Sequence, residues 1–252
     1  ELPEELLTLL QKRAAGNPLY VQEWLRYVQH KGWLHLHPEQ SPSCTFEMGS
    51  EILEQELPDT LEGLLLARID TLAPELQLVL KVAAVQGRQV SLAPMRKALE
   101  VTSERVGQTL DDVLEKLVQK GLLRQKGSGE YAIFRFQHLL LQEVSYRSLL
   151  YKQRRQRHQL TALWLEQHNA LQDNISVSLD SAPPEVETTA LTSLVPHWNQ
   201  AGVESRELHF VCLAATEATR QYANTEAIRH TTRALELAES IEPSRRYELL
   251  LR

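Results

Sequence analysis

Two cysteines, Cys44 and Cys212, are all that 252 residues carry, so no disulfide framework staples this chain and a reducing, cytoplasmic compartment suits it. Aromatic residues are scarce at 6%, and glycine occurs only 10 times. Strands draw on aromatic and β-branched side chains, whereas Leu fills about 45 positions here, so the balance favours helix. No apolar run approaches the roughly 18 residues of a membrane span, and no basic-then-apolar leader opens the sequence. The net charge of −6 leaves no overall basic field to hold nucleic acid or anionic lipid. With 42% hydrophobic and 24% charged residues, the composition is that of a folded protein. The chain starts at Glu1 inside an apolar repeat (Leu2, Leu6, Leu9, Leu10) and stops within another amphipathic pattern, so it is expected to be a piece of a longer protein.

What is present is helical periodicity cut by turn residues. Gly16, Asn17 and Pro18 close a first helix near Ala15 and open a second. Tyr20, Val21, Trp24, Leu25 and Val28 share one face of that second helix, which Gly32 stops. Residues 33–57 read as a short ribbon or loop. Asp59 and Glu62 resemble a capping box ahead of a helix carrying Leu61, Leu64, Leu65, Ile69 and Leu72, broken at Ala73 and Pro74.

Three helices follow: one from Glu75 to Gly87, a short one over 91–99, and a third capped by Thr102 or Ser103 that keeps the 3.6 period from Val106 to Leu117. Residues 122–125 and 131–136, joined by a turn at 126–129, have hairpin chemistry. Three helices and a hairpin predict a winged helix. A helix from about His138 runs to Leu150 and continues or restarts to Gln167, and residues 169–187 read as a linker. Helical pairs then begin, with Ala227, Ala234 and Ala238 on one face; a spacing of about 34 residues suits a tetratricopeptide-type array.

Certain strings, taken in order, resemble a known family. They are Gly16-Asn17-Pro18-Leu19-Tyr20-Val21-Gln22-Glu23, Leu57-Pro58-Asp59-Thr60-Leu61 leading to Ala67-Arg68-Ile69-Asp70-Thr71-Leu72, Ala83-Ala84-Val85-Gln86-Gly87-Arg88, Phe136-Gln137-His138-Leu139-Leu140-Leu141-Gln142-Glu143-Val144, and Tyr222-Ala223-Asn224 before Glu226-Ala227-Ile228. Together they resemble the signal-transduction ATPases with numerous domains, especially the bacterial modules joined to adenylate cyclases, protein kinases or transcription-factor domains. The resemblance implies a mainly α fold: a helical lid of an ATPase module at 1–72, a winged helix with a small β-hairpin at 73–150, a connecting helix and linker at 151–187, and the start of TPR-like repeats at 188–252.

It also implies that ATP or ADP with Mg binds the full-length protein, mostly through a nucleotide core in cis, outside this sequence. No G-x-x-x-x-G-K-[ST] string occurs, and Gly127 and Gly129 lack the Lys and helix that cradle phosphate, so this piece is expected neither to hydrolyse ATP nor to hold nucleotide tightly alone. Gly16, Asn17 and Pro18 match the lid motif whose proline packs on adenine; a plain helix–helix turn explains the same residues. His138 matches a histidine that meets the diphosphate of ADP in the relatives, the alternative being a histidine that caps or packs at a junction. Leu139 stands where the usual pattern has an acidic residue.

Other chemistries find less. Between Thr102 and Lys120 the expected third helix is net negative, which argues against reading a DNA groove, so no nucleic-acid partner and no membrane are expected. Lys152, Arg154, Arg155, Arg157 and His158 read as a solvated basic face whose stems cover apolar neighbours. His35, His37 and Cys44 lack a convincing fourth metal ligand. The sequence therefore predicts a regulatory fragment of a nucleotide-switched ATPase that couples nucleotide state to a protein partner on helical repeats. The alternatives are a nucleotide-independent interaction scaffold and a DNA-binding regulator.

Overall fold

The computed structural model describes residues 4–37, 43–46, 56–100, 103, 106–107, 109–127, 132–168 and 188–240. Among them the chain is mainly helical, with eleven helices and two small antiparallel sheets. None of these helices is long and apolar enough to cross a membrane.

Helices α1 (Glu4–Ala14) and α2 (Pro18–His30) build the first core: Leu9, Leu10 and Ala14 pack against Tyr20, Trp24 and Val28. The ribbon is present as β1 (Leu34–His37) and β2 (Ser43–Phe46), and Leu34 closes this core. Helix α3 (Leu61–Asp70) is capped by Thr60, whose hydroxyl accepts from the Gly63 N–H at 3.1 Å, one residue beyond the expected Asp59. Thr60 lies in the extended region that an N-cap needs, while Asp59 pairs with Arg13 at 3.1 Å and Glu62 with Arg147 at 3.3 Å.

Successive helical residues point about 100° apart, so the run Leu64-Leu65 serves two cores. Leu64 joins the first, and Leu65 and Ile69 join the second. Gly63 sits where α3 presses on the preceding chain: a Cβ there would lie 2.8 Å from Pro58 Cβ and 3.3 Å from Thr60 Oγ1. Gly63→Ala, which in an open helix would gain about 1 kcal/mol, should here lower stability by about 1–3 kcal/mol, read as a fall in the denaturant midpoint.

The second core follows the order α4 (Pro74–Gln86), β3 (Gln89–Ser91), α5 (Leu92–Glu100), α6 (Leu110–Gln119), β4 (Leu123–Lys126) and β5 (Ile133–Phe136). The sheet order is β3-β5-β4, all antiparallel, with Phe134 opposite Val90 on one side and Gln125 on the other. Phe134 and Phe136 alternate with exposed Arg135, so one sheet face meets Leu80, Met95, Leu99 and Leu114. Strand β3 has no counterpart in the sequence reading, because three residues hold too little alternation to register as a strand. Helix α6 begins at Leu110; Thr102 lies outside the described residues, and the Ser103 carbonyl opens a separate helical turn ahead of α6, accepting from the Val106 and Gly107 N–H groups. Gly107 weakens helix at that point.

Helix α7 (Leu139–Arg147) stops and α8 (Tyr151–His168) restarts, with the Gln153 side chain accepting from the Leu150 N–H at 3.2 Å. The expected linker at 169–187 lies outside the described residues. Helices α9 (Thr188–Ala201), α10 (Glu204–Arg220) and α11 (Asn224–Ser240) then stack in sequence. Here α10 is the two-sided helix: Phe210 and Ala214 join Trp198, Leu194 and Ala162, whereas Leu208 and Val211 join Leu237 and Ala238.

The basic run of α8 is not simply a solvated face. Arg155 donates to the Ala201 and Gly202 carbonyls at 2.9 and 3.1 Å, capping the negative end of α9, Arg154 lies over the Tyr146 ring, and Arg157 is buried.

Candidate functional site

Helix α2 carries the site at two levels. Its start is the turn singled out in the sequence: Ala15 and Gly16 take positive φ of 45° and 81°, and the Asn17 Oδ1 accepts from the Leu19 N–H at 3.0 Å. Pro18 occupies the first helical position, where its missing N–H costs nothing, and Gly16, Asn17 and Pro18 are all exposed. No Cβ neighbour stands within 4 Å of Gly16, so its backbone angle rather than crowding demands glycine. One to two turns further along stand Glu23 and Arg26.

Glu23 is a carboxylate on a buried face, 2% exposed, three residues after Tyr20 and beside Trp24. Its Oε1 accepts from Arg26 Nη1 at 2.6 Å and from Arg68 Nη1 at 2.8 Å, and its Oε2 accepts from Arg68 at 3.1 Å. The second terminal nitrogen of Arg68 donates to the Lys120 carbonyl at the end of α6. One guanidinium from α3 thus fastens the first core to the second. A further ion pair between α3 and α7 among the described residues, Arg147 with Glu62, is more than half exposed on both sides and adds little.

His138, at the start of α7, lies within electrostatic range of the same group. It occupies the N-cap position of α7 in extended conformation, and its side chain makes no capping hydrogen bond; packing at the junction, the other half of that alternative, agrees with its half-buried ring. The imidazole is half-buried, and burial is the main cause that pushes its proton affinity down; Glu23 opposes this, while Arg124, Arg26 and Arg68 add to it. Arg124 on β4 hydrogen-bonds the Gln137 side chain. Three guanidiniums and one carboxylate around a largely neutral imidazole leave two positive charges in excess at the seam. Such a surface favours an anion, and the ring offers it one N–H.

Of the predicted residues, Gly16, Asn17 and Pro18 form one exposed turn, and His138 lies in the seam; what relates them is α2, which starts at the turn and passes the histidine with Glu23 and Arg26. Sequence reasoning missed Glu23, Arg26, Arg68 and Arg124. The available signal was a carboxylate at i+3 from Tyr20 on an apolar stripe, a placement too costly to leave unpaired.

A second polar cluster joins α7, α8 and α9. Tyr146 Oη lies 3.0 Å from His158 Nε2, and His158 Nδ1 lies 2.8 Å from His197 Nδ1, so one ring must donate and the other accept. Tyr146 also reaches Gln200 at 3.4 Å. Burial pushes both histidines down, His158 to about 3 and His197 to about 4, with His197 and Arg154 adding to the effect on His158. Both rings are neutral near pH 7.

The remaining candidates come apart. In the β1–β2 ribbon the register sets Cys44 opposite Leu36, with His35 opposite Thr45 and His37 opposite Ser43, so the cysteine lies across from neither histidine. Among the described residues no group of three or more His, Cys, Asp or Glu is placed to hold a metal ion. On α6, Asp111 and Asp112 are exposed, and Arg96 of α5 is paired with Asp111 at 3.3 Å. Comparison of the chain with protein-family models, with curated proteins and with solved structures returned no match.

Proposed function

We propose that this chain is the regulatory part of a nucleotide-switched signalling ATPase. In this reading α1 to α3 are a lid, α4 to α7 are a winged helix, and α9 to α11 begin a TPR-like scaffold. The observation that supports it best is the seam: His138 stands among Arg26, Arg68, Arg124 and Glu23, where an excess of positive charge meets a neutral hydrogen-bond donor. That chemistry suits the terminal phosphate of a nucleoside diphosphate.

The nucleotide core, with ATP or ADP and Mg, would be supplied in cis by sequence outside these residues, and the protein would work in the cytoplasm. Pro18 presents a flat apolar ring at the start of the same helix, suited to a purine. ADP would hold lid and winged helix closed, and exchange for ATP would release them with a differential contact of a few kcal/mol. The moving output would be the helical scaffold, whose last helix keeps Ile228 68% and Leu235 58% exposed for a protein partner. A nucleic-acid partner fits poorly, because α6 presents Asp111 and Asp112 where a groove-reading helix carries base.

The test uses the longer protein that includes a nucleotide core. His138→Ala should weaken ADP by about tenfold and raise basal signalling, as expected for one hydrogen bond to a charged group, and leave ATP affinity nearly unchanged. Equal ADP affinity for wild type and variant in isothermal titration removes His138 from the mechanism.

A further inference from the structure

Helix α11 carries an apolar band that runs past its core on one flank only. Leu237 and Ala238 are buried against Leu208 and Val211 of α10, and Ala234 is half-buried beside them. Ile228 and Leu235, seven residues apart and so on one line of the helix, carry the band outward at 68% and 58% exposure. The opposite flank holds charged residues that pair among themselves and with α10: Arg229 with Glu226, and Arg233 with Glu236 and Glu207. An apolar stripe that is continuous with a core and open on one side is stable only when another element covers it.

The twelve residues after Ser240 lie outside the described residues, and their sequence has the form of that element. Pro243 turns Glu242 away from the α conformation, in keeping with the end of α11 at Ser240, and suits the first position of a new helix. In a helix from Pro243, Tyr247, Leu250 and Leu251 fall at i, i+3 and i+4 on one face, while Leu249 stands apart from it. Ten residues are too few for a stable helix in water, so this one needs a surface to pack on. Ile241 and Glu242 leave a connection of two residues, the length that joins antiparallel neighbours. The levels agree as well. At 1.5 Å per residue, Leu235 and Ile228 lie about 8 and 18 Å back from Ser240, and Tyr247 and Leu251 lie about 6 and 12 Å beyond Pro243.

We propose that residues 243–252 fold as a helix antiparallel to α11 and cover the edge formed by Ile228 and Leu235, with Tyr247 on Leu235 and Leu250 and Leu251 toward Ile228. This contact does not depend on nucleotide. It adds one member to the helical stack from within the chain, so a protein partner reaches Leu235 only by displacing the segment.

Nuclear magnetic resonance of the 252-residue chain with labelled methyl groups reads the contact directly. The Ile228 and Leu235 methyls should give cross-peaks to the Tyr247 ring and to the Leu250 and Leu251 methyls. Amides 246–251 should exchange at least about tenfold more slowly than in an unstructured peptide. Leu235→Asp, at an exposed site outside the cores, should return those amides to unstructured rates while the amides of α9 and α10 stay protected. Tyr247→Ser is the second variant and should do the same from the side of the segment. Cross-peaks that arise between molecules, in a mixture of labelled and unlabelled chain, assign the edge to a second copy and overturn the proposal. So do amides 246–251 that exchange in the wild type as in an unstructured peptide. Protection that survives Leu235→Asp overturns it too, because the segment is then ordered on another surface.

Discussion

Glu23→Ala should cost the chain about 3–5 kcal/mol, the loss seen when one partner of a buried ion pair is removed. The carboxylate receives three hydrogen bonds from two arginines and is nearly sealed from water. Without it, Arg68 keeps only the Lys120 carbonyl, and its charge stays in a site where burial already opposes the charged form. Arg26 is more exposed and can turn to solvent; Arg68, 16% exposed, cannot do so without leaving the seam.

The loss should therefore fall mainly on the junction between the two cores. Urea unfolding followed by fluorescence and by circular dichroism should separate into two transitions in Glu23→Ala, where the wild type gives one at that junction. Glu23→Gln, which retains an acceptor but not the charge, should fall between. The double variant Glu23→Leu with Arg68→Met should recover most of the loss, because an apolar pair of similar volume no longer strands a charge. A single variant within about 1 kcal/mol of wild type would show that the seam is held by apolar packing alone.

The helices and the ribbon were legible because apolar spacing and the Gly and Pro punctuation agree locally. Gly16-Asn17-Pro18 stops one helix and starts the next by backbone rules that need no partner. What escaped depends on partners distant in sequence. The cap of α3 moved from Asp59 to Thr60 because Arg13, more than forty residues earlier, takes the aspartate. Strand β3 exists only because β5 pairs with it.

The division between cores was hidden for a related reason. Leu64 and Leu65 are adjacent in one apolar run yet belong to different cores, and no periodicity can say which neighbour each meets. The seam shows both limits at once: His138 was singled out through a family resemblance rather than by any local rule, whereas Arg26, Arg68 and Arg124 come from three elements that only the tertiary fold collects. The basic run of α8 was visible too, but its use as a cap for α9 required knowing where the Ala201 carbonyl lies.

Acid should loosen the joint between α7, α8 and α9 well before it unfolds the chain by general protonation. The groups facing each other there are Tyr146 from α7, Arg154 and His158 from α8, and His197 and Gln200 from α9, with no carboxylate among these partners. A histidine in the unfolded chain takes its proton near 6.5, whereas in the fold His197 waits until about 4 and His158 until about 3. Above pH 6.5 both rings are neutral in both states and have no linkage effect. Below it the unfolded chain binds protons that the native joint refuses, so stability falls with pH, by about 1.4 kcal/mol per pH unit for each histidine at most. The His197 share of the fall ends near pH 4, where that ring becomes charged in the native state as well and meets His158 and Arg154, and the His158 share ends near pH 3.

Other groups titrate in the same window, notably Glu166, whose burial raises its proton affinity and acts in the opposite direction, and His209, which acts in the same one. The difference between wild type and His197→Gln isolates the joint, since glutamine can still hydrogen-bond His158 but cannot take a proton. Stabilities measured at half-unit intervals from pH 7.5 to 4.5 should converge as pH falls, with the variant less stable at neutral pH and the gap closing by about 1 kcal/mol per pH unit below 6.5. Parallel curves would mean that His197 is not held neutral, and that the hydrogen bond to His158 is replaced by water in solution.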